Sequence, residues 1–426
     1  MKALQTLFML RSFKNLFKNY ENQIFILVLY NLTNLINFLF QLVASKKLLA
    51  EEFSLYFSSV SLVAIIMGPF VALQLLFQKQ FIDYGKKNSI KDQNNLLDFS
   101  VKFFFILQLF FLIFFIFFLD DLQSKYKYNN DYFFYLLFLS NLSNFFSIIP
   151  ISVLYSQKKY KLVNLVLLIL DVFRFLSLFL FVEYLSNKIN FMIIINILNS
   201  LLSTLILFFY VNFSLRSFLF LNINKFYISL KKYIKKISIF VLYSSFWPLI
   251  YQLDIIFIRI FFSSNISSSY VVISSLSKII MIIPYALQAY IFNQINLNKK
   301  LFSRELALNY IFYLFITITI IIIIFLFLES FVNFFYGTYF SQTIQAFPYI
   351  VFSFFFISMS SLLSHLLLIS GKYIFIFFLY MTIILYVFLT YLFHATFIQI
   401  SINLLICSFI LFVLILSFVI YLSKKK

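Results

Sequence analysis

Glycine is almost absent from this chain: four residues in 426, beside one cysteine, one tryptophan and two histidines. The single thiol, Cys407, excludes a disulfide within the chain and says nothing about redox compartment. His365 and His394 stand far apart, with no cysteine or carboxylate cluster at metal-ligand spacing, so neither a metal site nor a bound cofactor is expected. The scarcity of glycine also removes the Gly-rich phosphate loops of nucleotide enzymes. Charge is scarce too, at 11% of residues, less than half the roughly 25% of a soluble domain. Nothing at the start reads as a cleavable signal.

What fills the chain instead is apolar: 63% hydrophobic residues, 66 of them phenylalanine, and a mean hydropathy of +1.00. So little polar surface cannot cover a water-soluble fold, and in lipid a backbone must satisfy its own hydrogen bonds, which favours helices. The expected fold class is an all-α polytopic membrane protein. Apolar runs long enough to cross about 30 Å of hydrocarbon fall near 23–44, 54–77, 103–119, 132–155, 162–182, 189–210, 238–261, 270–292, 306–328, 343–369, 373–393 and 398–421. These twelve spans divide into a basic amphipathic segment at 1–22, a six-helix bundle at 23–210, a basic linker at 211–237, a second six-helix bundle at 238–421 and a basic tail at 422–426. The amphipathic segment reads equally as an interfacial helix or as a solvated flank.

The formal net charge is +19, with 33 Lys and Arg, a value that in a soluble protein would suggest nucleic acid. Position argues otherwise, and no nucleic acid partner is expected. Only Lys46, Lys47, Lys125, Lys127 and Lys188 fall in the loops opposite the N-terminus, three bases lie inside spans, and the rest share the N-terminal side. The positive-inside rule then puts both termini in the cytoplasm.

A repeat runs through the chain. Residues 56–80, YFSSVSLVAIIMGPFVALQLLFQKQ, align without gaps on 270–294, YVVISSLSKIIMIIPYALQAYIFNQ, with identities that include Tyr56 with Tyr270, Ile65-Ile66-Met67 with Ile279-Ile280-Met281 and Ala72-Leu73-Gln74 with Ala286-Leu287-Gln288. An offset of half the chain predicts two bundles of equal orientation around a central cleft, an architecture for alternating access.

Ionisable groups inside spans are costly and so are candidate functional residues. Asp171, Arg174, Asp254, Arg259 and Lys278 qualify. Asp171 and Arg174 lie three apart on one helix and can pair. Asp254 and Lys278 stand equally far from position 266 in the serine-rich stretch SSNISSS, read as a loop, and are expected at similar depth. They read either as a packing pair or as part of an anion-binding cavity, in which Arg174, Arg259 and Lys278 bind substrate and the aspartates hold them or couple an ion. Arg259 reads equally as a base snorkelling to the outer headgroups. Asn31, Asn34, Asn37 and Gln41 share one face of the first span, Asn141, Asn144 and Ser147 mark the fourth, and Ser358, Ser361 and His365 the tenth. Such stripes serve as interhelical seams or as cavity linings. The five prolines, Pro69, Pro150, Pro248, Pro284 and Pro348, all lie in spans, where each permits a kink.

Two stretches carry a family resemblance: KLLAEEFSLYFSSVSLV (47–63), and YQLDIIFIRIFFSSNISSSYVVISSLSKIIMIIPYALQAYIFNQI (251–295). Asp254, Arg259, Tyr270 and Pro284 match the acidic, basic, tyrosine and proline positions of the second motif; the family's glycines are absent from both turns, with Ala50 in the proline-like position, Ser54 after Phe53, and Ser263 and Ser264 in the second turn. In these motifs the chain resembles the polysaccharide-unit (O-antigen, Wzx-type) flippases of the multidrug/oligosaccharidyl-lipid/polysaccharide exporter superfamily. That resemblance implies a non-enzymatic transporter of the bacterial inner membrane. It implies an undecaprenyl-pyrophosphate-linked oligosaccharide as substrate, an H+ or Na+ gradient as coupling ion, and a polysaccharide polymerase and glycosyltransferases as pathway partners. An ion-coupled exporter of drugs or small molecules from the same superfamily is the second expectation.

Overall fold

The computed structural model describes residues 25, 28, 29, 31–86, 90–211, 223–281 and 304–424. The amphipathic segment 1–22, Pro284, residues 282–294 of the repeat and the last two residues of the tail lie outside them. Among the described residues the chain is helical, without strands. In order these are α1 (31–47), α2 (Ala50–Lys86), α3 (Ile90–Phe117), α4 (Leu119–Tyr126), α5 (Asp131–Ser156), α6 (Tyr160–Phe181), α7 (Lys188–Val211), α8 (Ile223–Phe261), α9 (Ser264–Lys278), α10 (Arg304–Phe335), α11 (Phe347–Ile369), α12 (Phe375–Leu392) and α13 (Phe397–Lys424).

Nine of these helices contain a stretch long and apolar enough to cross a membrane, or ten if the bent pair Phe105–Phe117 and Leu119–Tyr126 forms one span. The two other expected spans, 23–44 and 270–292, run beyond the described residues. Side chains turned outward are those lipid accepts: Phe117 is 80% exposed, Phe209 82% and Leu326 72%. Lipid tails are as apolar as leucine, so helix association rests on packing and polar contacts rather than on escape from water.

With so few glycines, helix ends are closed in an unusual way. Gly371 (φ +72°) ends α11 with the paired bonds of a Schellman motif, Gly371 N–H donating to Leu368 O and Lys372 N–H to Leu367 O, both at 3.1 Å. The same motif ends α4 and α5 with lysines in the left-handed seat, Lys127 at φ +53° and Lys158 at φ +62°. A Cβ in that conformation costs about 1–2 kcal/mol.

The prolines behave differently from one another. Pro69, Pro150 and Pro248 lie inside α2, α5 and α8, whereas Pro348 occupies the first turn of α11, where no helical hydrogen bond is lost. The expected span 343–369 begins as a 3-10 segment, Thr338–Ala346, which places Pro348 at a helix start rather than at a kink.

The helices gather into two compact units. One holds the described residues of 1–44, 74–112 and 138–229, where α6 packs along α7. The other holds 45–73, 113–137 and 230–424, where α11 packs on α13, α12 on α13, and α9 on α11. α11 is the inner pillar of its unit: the span that includes it, Phe340–Leu368, is 78% buried, against 17% for Tyr160–Tyr184. Its hydroxyls turn back on their own helix, Ser353 donating to Tyr349 O at 2.6 Å and Ser360 to Phe356 O at 2.8 Å.

Candidate functional site

The second unit brings together one set of the intramembrane charges. Asp254, on α8, is fully buried, and its Oδ1 lies 3.5 Å from Lys278 Nζ at the end of α9. Ser274 donates to Asp254 Oδ2 at 2.6 Å. Lys278 also donates to Gln252 Oε1 at 3.3 Å and stands 5.3 Å above the ring of Phe354, an α11 residue, while 19% of its side chain stays exposed. Gln252 Oε1 accepts a second bond from Ser61 of α2 at 3.0 Å.

Local structure sets this geometry. The stretch SSNISSS, expected as a loop centred on 266, is instead helical: α9 begins at Ser264 and the turn is only residues 262 and 263. Ser263, extended at φ −67° and ψ 159°, starts the helix, and serines satisfy a first turn as readily as a loop. Ser274 therefore lies nearer the level of Asp254, and Lys278 sits one turn further along. Side chains lean toward the N-terminus of their helix, so its long stem leads the ammonium back to the carboxylate. Ser274 and Gln252, being uncharged, do not stand out in the sequence as Asp254 and Lys278 do. Gln252, a polar residue two positions before Asp254 in an apolar run, was the available signal.

The first unit holds the other charged cluster. Arg174 of α6 pairs with Asp171 at 3.6 Å, donates to Asn196 Oδ1 of α7 at 3.4 Å and to Asn37 Oδ1 of α1, and lies 4.7 Å above the ring of Phe40. Asn199 of α7 donates to Asp171 Oδ1 at 3.3 Å. The two charged side chains remain 18% and 14% exposed. The polar face of α1 is thus divided: Asn37 touches the guanidinium, Gln41 is buried, Asn34 is half-buried and Asn31 is exposed. The pairing of short amides with a planar cation leaves the apolar ring of Phe40 as its floor, a cation–π arrangement suited to Arg.

Arg259 belongs to neither cluster. At 2% exposure it does not snorkel to headgroups: Nη1 donates to Ser54 Oγ at 2.8 Å and to Ser264 Oγ at 2.9 Å, and Nη2 to Tyr126 O at 2.9 Å. Of the remaining polar stripes, Asn141 is buried in α5, Ser358 bonds with Tyr313, and His365 Nδ1 meets Tyr243 OH at 3.3 Å. Among the described residues no three His, Cys, Asp or Glu side chains gather as metal ligands.

No family model matches the chain, and no curated protein matches its sequence. Solved structures do match in shape. An inward-facing multidrug resistance MATE family transporter of the MOP superfamily superposes with a TM-score of 0.72 at 14% identity, covering 92% of this chain and 96% of that one. Lipid II flippase MurJ, in an inward closed conformation, gives 0.70 at 16% identity over 95% of this chain and 88% of its own. An outward-facing MATE family transporter gives 0.63 at 13% identity, with 95% of each chain covered. Likeness over nearly the whole length, at identities this low, is likeness of fold: the chain has the fold of the MOP-superfamily transporters.

Proposed function

We propose that the protein is a flippase that carries undecaprenyl-pyrophosphate-linked oligosaccharide units from the inner to the outer leaflet of the bacterial inner membrane, by alternating access, for surface polysaccharide synthesis. The observation that carries this reading is Lys278: a partly exposed ammonium at the end of a serine-rich helix, held by Asp254, Gln252 and the face of Phe354. An ammonium kept in lipid at this cost serves an anionic ligand better than a neutral or cationic one. Lys278 offers the diphosphate a point charge, and Arg174, within its own unit, offers a planar fork to an anionic group, while the isoprenoid tail stays in the bilayer. When phosphate oxygens engage Lys278, Asp254 loses part of its counter-charge and keeps Ser274, which makes it a candidate to take up the coupling ion, H+ or Na+. Asp171, already bonded by Asn199 beside Arg174, is the corresponding carboxylate in the other unit. Polymerase and glycosyltransferases of the same pathway are the proposed partners.

The likeness to MATE family transporters favours a second reading, ion-coupled export of a small molecule. Deleting the gene and following lipid-linked intermediates decides between the two. Loss of surface glycan with lipid-linked units held on the cytoplasmic leaflet, restored by the wild type and not by Lys278→Ala, supports flipping. Unchanged glycan with raised drug sensitivity supports export and refutes the flippase reading.

A further inference from the structure

The residues that Arg259 joins come from three distant parts of the chain. Ser54 lies in the first turns of α2, Tyr126 is the last residue of α4, and Ser264 is the first of α9. α2 enters on a capping-box bond, Leu49 N–H donating to Glu52 Oε2 at 2.9 Å, and Ser54 donates onward to Glu51 O at 3.0 Å, leaving its lone pairs for the guanidinium. The Tyr126 carbonyl is one of the orphan acceptors that a helix C-terminus leaves over, and Arg259 supplies its donor. Tyr126 adds a buried bond of its own, its hydroxyl donating to Ser58 O at 3.4 Å. Both hydrogens of Nη1 and one of Nη2 are thus engaged, and Nε–H is buried without a partner. All three acceptors are neutral.

These contacts lie within one compact unit, yet that unit is assembled from both halves of the sequence. α2 contributes its residues up to 73 to this unit and those from 74 onward to the other; α3 divides likewise at 112 and α5 at 137. Alternating access asks the two halves of the chain to move as bodies. The contacts of 45–73 and 113–137 with 230–281 and 304–424 are then the ones that must part. Beyond Arg259, they include Ser61 with Gln252 at 3.0 Å, the ring of Phe53 on Phe340 at 5.7 Å, and Gly68 against α8, where an added Cβ would stand 3.0 Å from Pro248 Cγ.

We propose that Arg259 is the latch of a releasable closure: its guanidinium fastens the start of α2 and the end of α4 to the α8–α9 turn, and it lets go when the transporter opens toward the side that the charge pattern marks as external. A latch made of charge-assisted bonds to hydroxyls and a carbonyl fits that work, because water can replace each acceptor once the seam parts, with no buried carboxylate left unpaired. The proposal needs only that the halves separate on that side, so it stands or falls apart from the identity of the substrate.

The test is thiol labelling of the full chain in right-side-out membrane vesicles with a membrane-impermeant maleimide. Ser61→Cys is the reporter, since residue 61 is 4% exposed and meets α8. Native Cys407, 0% exposed, is the internal control for loosened folding. Arg259→Ala, and separately the milder pair Ser54→Ala/Ser264→Ala, are expected to raise labelling at position 61 at least tenfold with Cys407 unchanged. A short thiol-reversible cross-link across Ser54→Cys/Ser264→Cys is expected to suppress labelling at 61 until reductant is added. Unchanged labelling at 61 in both variants, a parallel rise at Cys407, or labelling at 61 unaffected by the cross-link would each overturn the latch.

Discussion

Removing the Lys278 ammonium leaves Asp254 fully buried, with the Ser274 hydroxyl as its hydrogen-bond donor. At 3.5 Å, with an effective dielectric of about 20, the two charges attract by about 5 kcal/mol. Desolvation offsets part of that, and the 19% exposure of Lys278 lowers it further, so Lys278→Met is expected to destabilise the protein by about 3 kcal/mol. Replacing both charges, Lys278→Met with Asp254→Asn, strands no charge and is expected to cost about 1 kcal/mol, because Asn keeps an acceptor for Ser274. The interaction energy from the double-mutant cycle should therefore be at least about 2 kcal/mol. The assay is reversible unfolding in mixed detergent micelles, with each single variant, the double variant and the wild type measured at one pH and lipid content. A Lys278→Met protein as stable as the wild type, or singles that simply add, would show that the pair is not an interacting buried ion pair.

Other outcomes follow from the same structure. Arg174→Lys keeps the charge but cannot reach Asn37, Asn196 and Asp171 together, so transport should fall at least tenfold while stability changes by less than about 1 kcal/mol, measured as flux and unfolding on one preparation. Gly68→Leu should push α2 off Pro248 and Ser245 and cost about 1–3 kcal/mol, read as a lower melting temperature, whereas Gly371→Ala strains only the left-handed turn at φ +72° and should cost about 1 kcal/mol. Lys127→Gly and Lys158→Gly remove a Cβ from left-handed helix ends and should each stabilise by about 0.5–1 kcal/mol in the same melts.

Much of the helical frame was legible because its cause is local. Lipid gives the backbone no partners, so every long apolar run is driven to helix, and the run lengths alone located the spans described between 50 and 424. Boundaries failed where side-chain chemistry is ambiguous. The serines of 263–269 suit a loop and a helix start alike, and α9 takes them as its first turns; likewise Pro348 opens α11 rather than bending a span. The polar outliers Asp171, Arg174, Asp254, Arg259 and Lys278 were conspicuous because their cost in an apolar run can be read without a structure. Ser274 and Gln252 were not, since a hydroxyl or an amide in a membrane helix is cheap enough to be ordinary.

The sequence by itself determined the solvent this protein folds in, the helices that follow from it, and which side chains are costly to hold in an apolar run, since each depends on residues within a turn or a span of one another. Only the tertiary structure decided who meets whom. Asp171 and Arg174 could find each other along one helix, but nothing in the spacing of residues 54, 126 and 264 points to Arg259. Contacts between such distant segments are selected by how whole helices pack, and a linear periodicity carries no record of that choice.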